Sequence, residues 1–85
     1  MLIHRVEPVY PPIAKQTHTE GTVQLHAIIA RDGSIASLEA LSGHPLLIRA
    51  AREAVSQWRY RPTLLGGEPV EVETYITVIF RLGDQ

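Results

Sequence analysis

Apolar and polar residues alternate with period two from Thr22 to Arg31. Val23, Leu25, Ala27 and Ile29 fall on one face, and Thr22, Gln24, His26 and Ile28 on the other. That spacing predicts a strand with one face on a core. Arg31-Asp32-Gly33-Ser34 follows, and an Asp-Gly pair between apolar runs predicts a hairpin. The return strand is expected over 35–42 with Leu38 and Ala40 inward. Ile35 and Leu41 fall on the opposite parity, which predicts a bulge or a twisted end. The last stretch alternates most clearly. Val70, Val72, Ile76, Val78, Phe80 and Leu82 share one face with Thr74, while Glu71, Glu73, Tyr75, Thr77, Ile79 and Arg81 share the other. A strand over 70–82 is expected.

Between these strands the period changes. Leu47, Ala51, Ala54, Val55 and Trp58 recur at three- and four-residue steps, with Arg49, Arg52, Glu53 and Ser56 opposite, as in an amphipathic helix. Pro45 suits its first turn, His44 or Gly43 its N-cap, and Pro62 ends it near Trp58. Pro11-Pro12 predicts a second, short helix over about 12–18, preceded by an extended arm. Leu64-Leu65-Gly66-Gly67-Glu68-Pro69 is expected to be a turn-rich loop.

The hairpin makes the first two strands antiparallel, and the long helix carries the chain back before the third. The third strand then lies beside the first, in the order 2-1-3. The expected fold is therefore α+β: a two-layer sandwich (α-β-β-α-β) with a three-stranded antiparallel sheet and both helices on one face. Its 85 residues make one domain, 1–85. The last strand is left as an open edge.

Composition narrows function mainly by exclusion. Eight Lys plus Arg stand against nine Asp plus Glu, without the basic excess through which nucleic-acid binders hold phosphate. No Cys is present, so disulfides and thiolate metal sites are excluded. His4, His18, His26 and His44 lack the spacing of a helical metal site, and no paired acid–base constellation accompanies them. No enzyme, metal or cofactor is expected. Gly66-Gly67 lacks the Lys-Ser/Thr of a phosphate loop, and turn chemistry accounts for it. Trp58 is expected to be a core anchor, and Tyr10 a second one for the arm. No apolar run of membrane-spanning length occurs and Met1–Arg5 lacks a signal-peptide core, so any targeting segment is expected on a longer parent chain. Two features stay unabsorbed: the open edge of the last strand, whose backbone groups can pair with another chain, and an apolar patch of Ile28, Leu41, Tyr75 and Ile79 on the outer sheet face.

Six segments occur in a recognisable order. They are Pro8-Val9-Tyr10-Pro11-Pro12-Ile13-Ala14, Gly21-Thr22-Val23, Asp32-Gly33-Ser34-Ile35, Ala50-Ala51 with Ala54-Val55, Trp58-Arg59-Tyr60-Arg61-Pro62 and Val78-Ile79-Phe80. Together they resemble the C-terminal domain of TonB energy transducers over nearly the whole chain. The resemblance implies a periplasmic protein-binding domain whose parent is anchored in the inner membrane and reaches out through a proline-rich spacer. It implies capture of the TonB box of an outer-membrane receptor by strand addition. An inner-membrane proton-channel complex would then drive import of siderophore- or cobalamin-type nutrients. The capture strand it implies comprises Val70, Glu71, Val72, Glu73, Thr74, Tyr75, Ile76, Thr77, Val78, Ile79 and Phe80, with Tyr10, Pro11, Arg59 and Tyr60 near the docking region. The alternative is a homodimeric assembly module that uses the same edge, or the Ile28/Tyr75/Ile79 face, with no role in import.

Overall fold

The computed structural model describes residues 2–82; Met1 and residues 83–85 lie outside the described residues. The chain runs β1 (Leu2–His4), α1 (Pro12–Gln16), β2 (Gly21–Ile29), β3 (Ile35–Ser42), α2 (Pro45–Val55), β4 (Arg59–Tyr60), β5 (Thr63–Leu65), β6 (Glu68–Val70) and β7 (Val72–Phe80). The main sheet has the order β3-β2-β7, antiparallel throughout. Two smaller antiparallel pairs, β1 with β4 and β5 with β6, stand beside it.

The period-two pattern carries the core. Val23, Leu25 and Ala27 of β2 are wholly buried, and Ile76, Val78 and Phe80 of β7 nearly so. Leu47, Ala50, Ala51, Ala54 and Val55 of α2 close over them, joined by Ala14 of α1 and by Trp58. Three alanines on the buried stripe let α2 lie close on the sheet. His44 is the N-cap: its Nδ1 accepts a hydrogen bond from Leu46 N at 3.1 Å, with Pro45 in the first turn.

Four boundaries correct the sequence reading. Helix α2 stops at Val55, not near Trp58. Turn bonds from Gln57 N to Ala54 O and Trp58 N to Val55 O end it, and the indole Nε1 of Trp58 then donates to Val6 O at 2.9 Å. Helix α1 stops at Gln16, because His18 takes a left-handed φ of 54° and Thr19 N closes onto Ala14 O. Strand β2 spans 21–29 rather than 22–31. The expected loop at 64–69 is a second hairpin, β5–β6, which moves the start of the last strand from 70 to 72; the strand ends at 80 rather than 82, and Leu82 N donates to the Glu20 carboxylate instead. Gly66 (φ 61°) and Gly67 (φ 84°) supply the two consecutive left-handed residues of a two-residue hairpin turn. Val70 therefore pairs with Thr63 in β6, and Glu71 is the break between β6 and β7.

The turn at 31–34 is held by Asp32, whose carboxylate accepts from Ser34 N at 2.9 Å and Ser34 Oγ at 2.6 Å. The Ser34 hydroxyl, then the Ser34 amide, hold the Asp32 carboxyl below its ordinary value. A depressed folded-state value means stability that is present above the unfolded value of 3.8 and lost as pH falls through the folded one. Asp32→Asn is expected to flatten the acid limb of the stability curve, read as urea midpoints between about pH 5 and pH 2.

The open edge of the last strand

Strand β7 pairs with β2 without interruption over nine residue pairs, from Gly21↔Phe80 to Ile29↔Val72. Among the described residues its other side is unpaired. In an antiparallel strand the amide and carbonyl of one residue point the same way, and alternate residues point to opposite sides. The open side of β7 thus offers donor–acceptor sets at every second residue.

The second edge of the sheet, β3, is a poorer template. Its register slips at both ends, between Gln24 and Leu25 and between Ile28 and Ile29 of its partner. These bulges break the ladder, a known way of blunting an edge. The second slip also turns Ile35 inward with Leu38 and Ala40, which resolves its wrong parity in the sequence.

Side chains on β7 divide cleanly. Ile76, Val78 and Phe80 are committed to the core and can offer a partner only backbone. Thr74 and Val72 are half-buried on the same face. Glu73, Tyr75, Thr77 and Ile79 project from the outer face, with Tyr75 66% and Ile79 60% exposed. Glu73 accepts a hydrogen bond from His26 Nε2, and His26 Nδ1 stands 3.9 Å from Glu39. The rings of His26 and Tyr75 lie 5.2 Å apart. Thr77 Oγ1 donates to Gln24 Oε1 at 3.0 Å. Leu41 is exposed on β3 and Ile28 half-buried on β2, so the apolar positions are interrupted by a polar cross-strand cluster.

The remaining predicted residues sit at different places. Tyr10 stacks edge-on against Phe80, centroids 5.4 Å apart and rings at 89°, and its hydroxyl donates to Thr19 O. It pins the arm at the C-terminal end of β7, with Pro11 as the N-cap of α1. Burial, and then the charge of Glu20, push the Tyr10 phenol above its ordinary value; burial does the same at Tyr60. A raised folded-state value gives stability that is present below 10.0 and lost as pH rises through the folded one. Tyr10→Phe is therefore expected to lower Tm modestly at neutral pH and to lessen alkaline sensitivity, both read in thermal melts.

Arg59 and Tyr60 are engaged elsewhere. They form β4, paired with β1, and Tyr60 N donates to Gly33 O at 2.8 Å at the β2–β3 turn. Arg59 donates to Trp58 O at 2.8 Å. Their hydrogen bonds and strand register tie them to β1 and to that turn, not to β7. The sequence reading missed the β5–β6 hairpin and its exposed Leu64 and Leu65. The signal was present in Gly66-Gly67, two residues suited to left-handed φ between short runs. No group of three or more possible metal ligands occurs among the described residues.

The family model for the C-terminal domain of the Gram-negative bacterial TonB protein matches residues 6–82. The chain belongs to the TonB C-terminal domain family. TonB proteins are energy-transducing and non-enzymatic. The chain is 35% identical over 80 residues to Protein TonB of Vibrio cholerae, covering 92% of this chain and 33% of that protein. It is 37% identical over 82 residues to Protein TonB of Klebsiella pneumoniae, covering 94% and 32%. The chain thus spans about a third of the length of these TonB relatives. The solution NMR structure of the Pseudomonas aeruginosa TonB C-terminal domain superposes with a TM-score of 0.83 at 28% identity, over 100% of this chain and 88% of that one. The mixed α+β architecture, with three antiparallel strands and two helices, is that of the TonB domain.

Proposed function

We propose that this domain is the receptor-capturing end of a TonB-type energy transducer. It binds the TonB box of an outer-membrane receptor as an added strand on β7. It works in the periplasm, on a parent chain anchored in the inner membrane. Through the rest of that parent a proton-channel complex supplies the motion that opens the receptor to siderophore- or cobalamin-type nutrients. The observation that carries this reading is that β7 is regular and, among the described residues, unpaired on its outer side, whereas β3, the opposite edge of the sheet, is bulged. Backbone pairing holds an extended segment with little dependence on its sequence. A strand pair also shares a pull along its length over several hydrogen bonds, which suits a mechanical link.

The test is a series of synthetic TonB-box peptides, each N-methylated at one residue in turn. An added strand donates to β7 from alternate residues only. Affinity is expected to fall roughly five- to tenfold at every second position and to hold at the others. A flat profile rules out strand addition. The homodimer reading draws on the exposed Tyr75 and Ile79. A mass measurement in dilute solution without peptide separates the two, since capture of a receptor segment requires β7 to be unpaired there.

A further inference from the structure

We infer that Asp32-Gly33 is a fold-gated isoaspartate site: the pair isomerises in the unfolded chain, is held unreactive in the folded one, and once isomerised no longer rebuilds its turn.

The chemistry is confined to one place. The sequence contains no Asn, and its other Asp, Asp84, precedes Gln85, so Asp32-Gly33 is the single Asp-Gly pair. A following glycine leaves the main-chain nitrogen open to attack, because no Cβ obstructs it. In that reaction Gly33 N bonds to Asp32 Cγ, and the amide proton leaves with the carboxyl hydroxyl as water. The product is a succinimide ring. Water then opens the ring at Cγ, which restores aspartate, or at the main-chain carbonyl carbon. The second opening leaves the chain running through Cβ and Cγ as isoaspartate.

The folded turn opposes each part of this step. The amide proton that must leave is donated by Gly33 N to Ala30 O at 2.9 Å. The Asp32 carboxylate accepts from Ser34 N at 2.9 Å and Ser34 Oγ at 2.6 Å, so closing the ring disrupts both bonds. Those bonds also favour the ionised carboxyl, whereas the ring closes from the neutral acid. Gly33 itself is buried, and its carbonyl accepts from Tyr60 N at 2.8 Å. Its peptide cannot turn toward Asp32 without displacing β4. Three hydrogen bonds at Asp32 and Gly33 N, two of them to a charged group, therefore stand between the folded turn and the succinimide.

Unfolding removes all of this, and the product does not fit back. Isoaspartate adds a methylene to the main chain between β2 and β3 and takes the carboxylate away from Ser34. The space at Gly33 is bounded by the Tyr60 backbone, with the carbonyl oxygen 1.8 Å from where a Cβ would stand. The longer chain is not accommodated there, and the bond from Tyr60 N to Gly33 O is lost.

The experiment ages the wild-type domain in neutral buffer, folded and in guanidinium chloride, and follows the Gly21–Glu39 peptide released by cleavage after glutamate. Isoaspartate is read as a shifted chromatographic peak of unchanged mass that accepts a methyl group from S-adenosylmethionine with an L-isoaspartyl methyltransferase. The folded domain is expected to isomerise at least about tenfold more slowly than the denatured chain. Ser34→Ala, verified as folded by thermal melts, removes the hydroxyl bond and should raise the folded rate roughly three- to tenfold. Chains isomerised while denatured and then returned to buffer should melt well below unaged protein treated alike. Equal rates in folded and denatured wild type overturn the gating, as does a folded Ser34→Ala variant that ages no faster than wild type. An unchanged Tm in the isomerised chain overturns the loss of the turn.

Discussion

Gly33→Ala is expected to destabilise the domain by at least about 3 kcal/mol, because this turn glycine is buried against backbone. Two effects combine. Gly33 has a φ of 90°, which L side chains rarely adopt, and a Cβ there would stand 1.8 Å from the Tyr60 carbonyl oxygen. That neighbour is backbone and cannot rotate aside. Tyr60 N also donates to Gly33 O, so relieving the clash breaks the bond between β4 and the β2–β3 turn. Gly66→Ala is the control. Gly66 has a φ of 61° with nothing within 4 Å of the added atom, so only the left-handed backbone term of about 1–2 kcal/mol applies. Urea unfolding of both variants checks the contrast. Equal losses would mean that the Tyr60 contact does not matter.

Trp58→Ala is expected to cost about 3–5 kcal/mol. A domain of this size has on the order of 4–13 kcal/mol in total, so much of the population unfolds. Trp58 is 7% exposed in the core, bonded through its indole to Val6 O, with the Arg5 guanidinium 5.5 Å from its ring. The same residue thus fills the core and fastens the N-terminal arm. Trp58→Phe keeps most of the apolar area and loses the bond, at about 1–2 kcal/mol. Circular dichroism reads the unfolding, because both variants remove the only Trp. Hydrogen exchange at Leu2–His4 should rise in both, since among the described residues β1 pairs only with β4, directly after Trp58.

The strands and the long helix were legible because burial follows periodicity. The alternation at 22–29 and 74–80 and the stripe from Leu47 to Val55 are the core itself. What failed was local and had a local cause. Val70 continues the apolar parity of β7, so periodicity alone extends the strand to 70. The pairing of Val70 with Thr63 depends on a turn at Gly66-Gly67 that alternation does not register. The wrong parity of Ile35 was visible, and the bulge that resolves it was one of two expected readings. For the site, outward and inward residues of β7 could be read from the sequence. That the off-parity ends at Ile35 and Leu41 are bulges in the ladder with β2, and so blunt the β3 edge, could not, because it depends on two-strand register. Nor could the placement of Arg59 and Tyr60, which is set by the hydrogen bond to Gly33 and by pairing with β1.

Capture on β7 is tested most directly by amide hydrogen exchange across 72–80, with and without a synthetic TonB-box peptide. In the free domain, alternate amides of β7 are bonded to β2 and exchange slowly, while those between them face the open side. Peptide binding is predicted to slow the second set alone, giving a gain in protection with period two along β7 and no change on β3. Protection gained on β3 or along α1 and α2, or binding without any period-two gain on β7, would contradict the account.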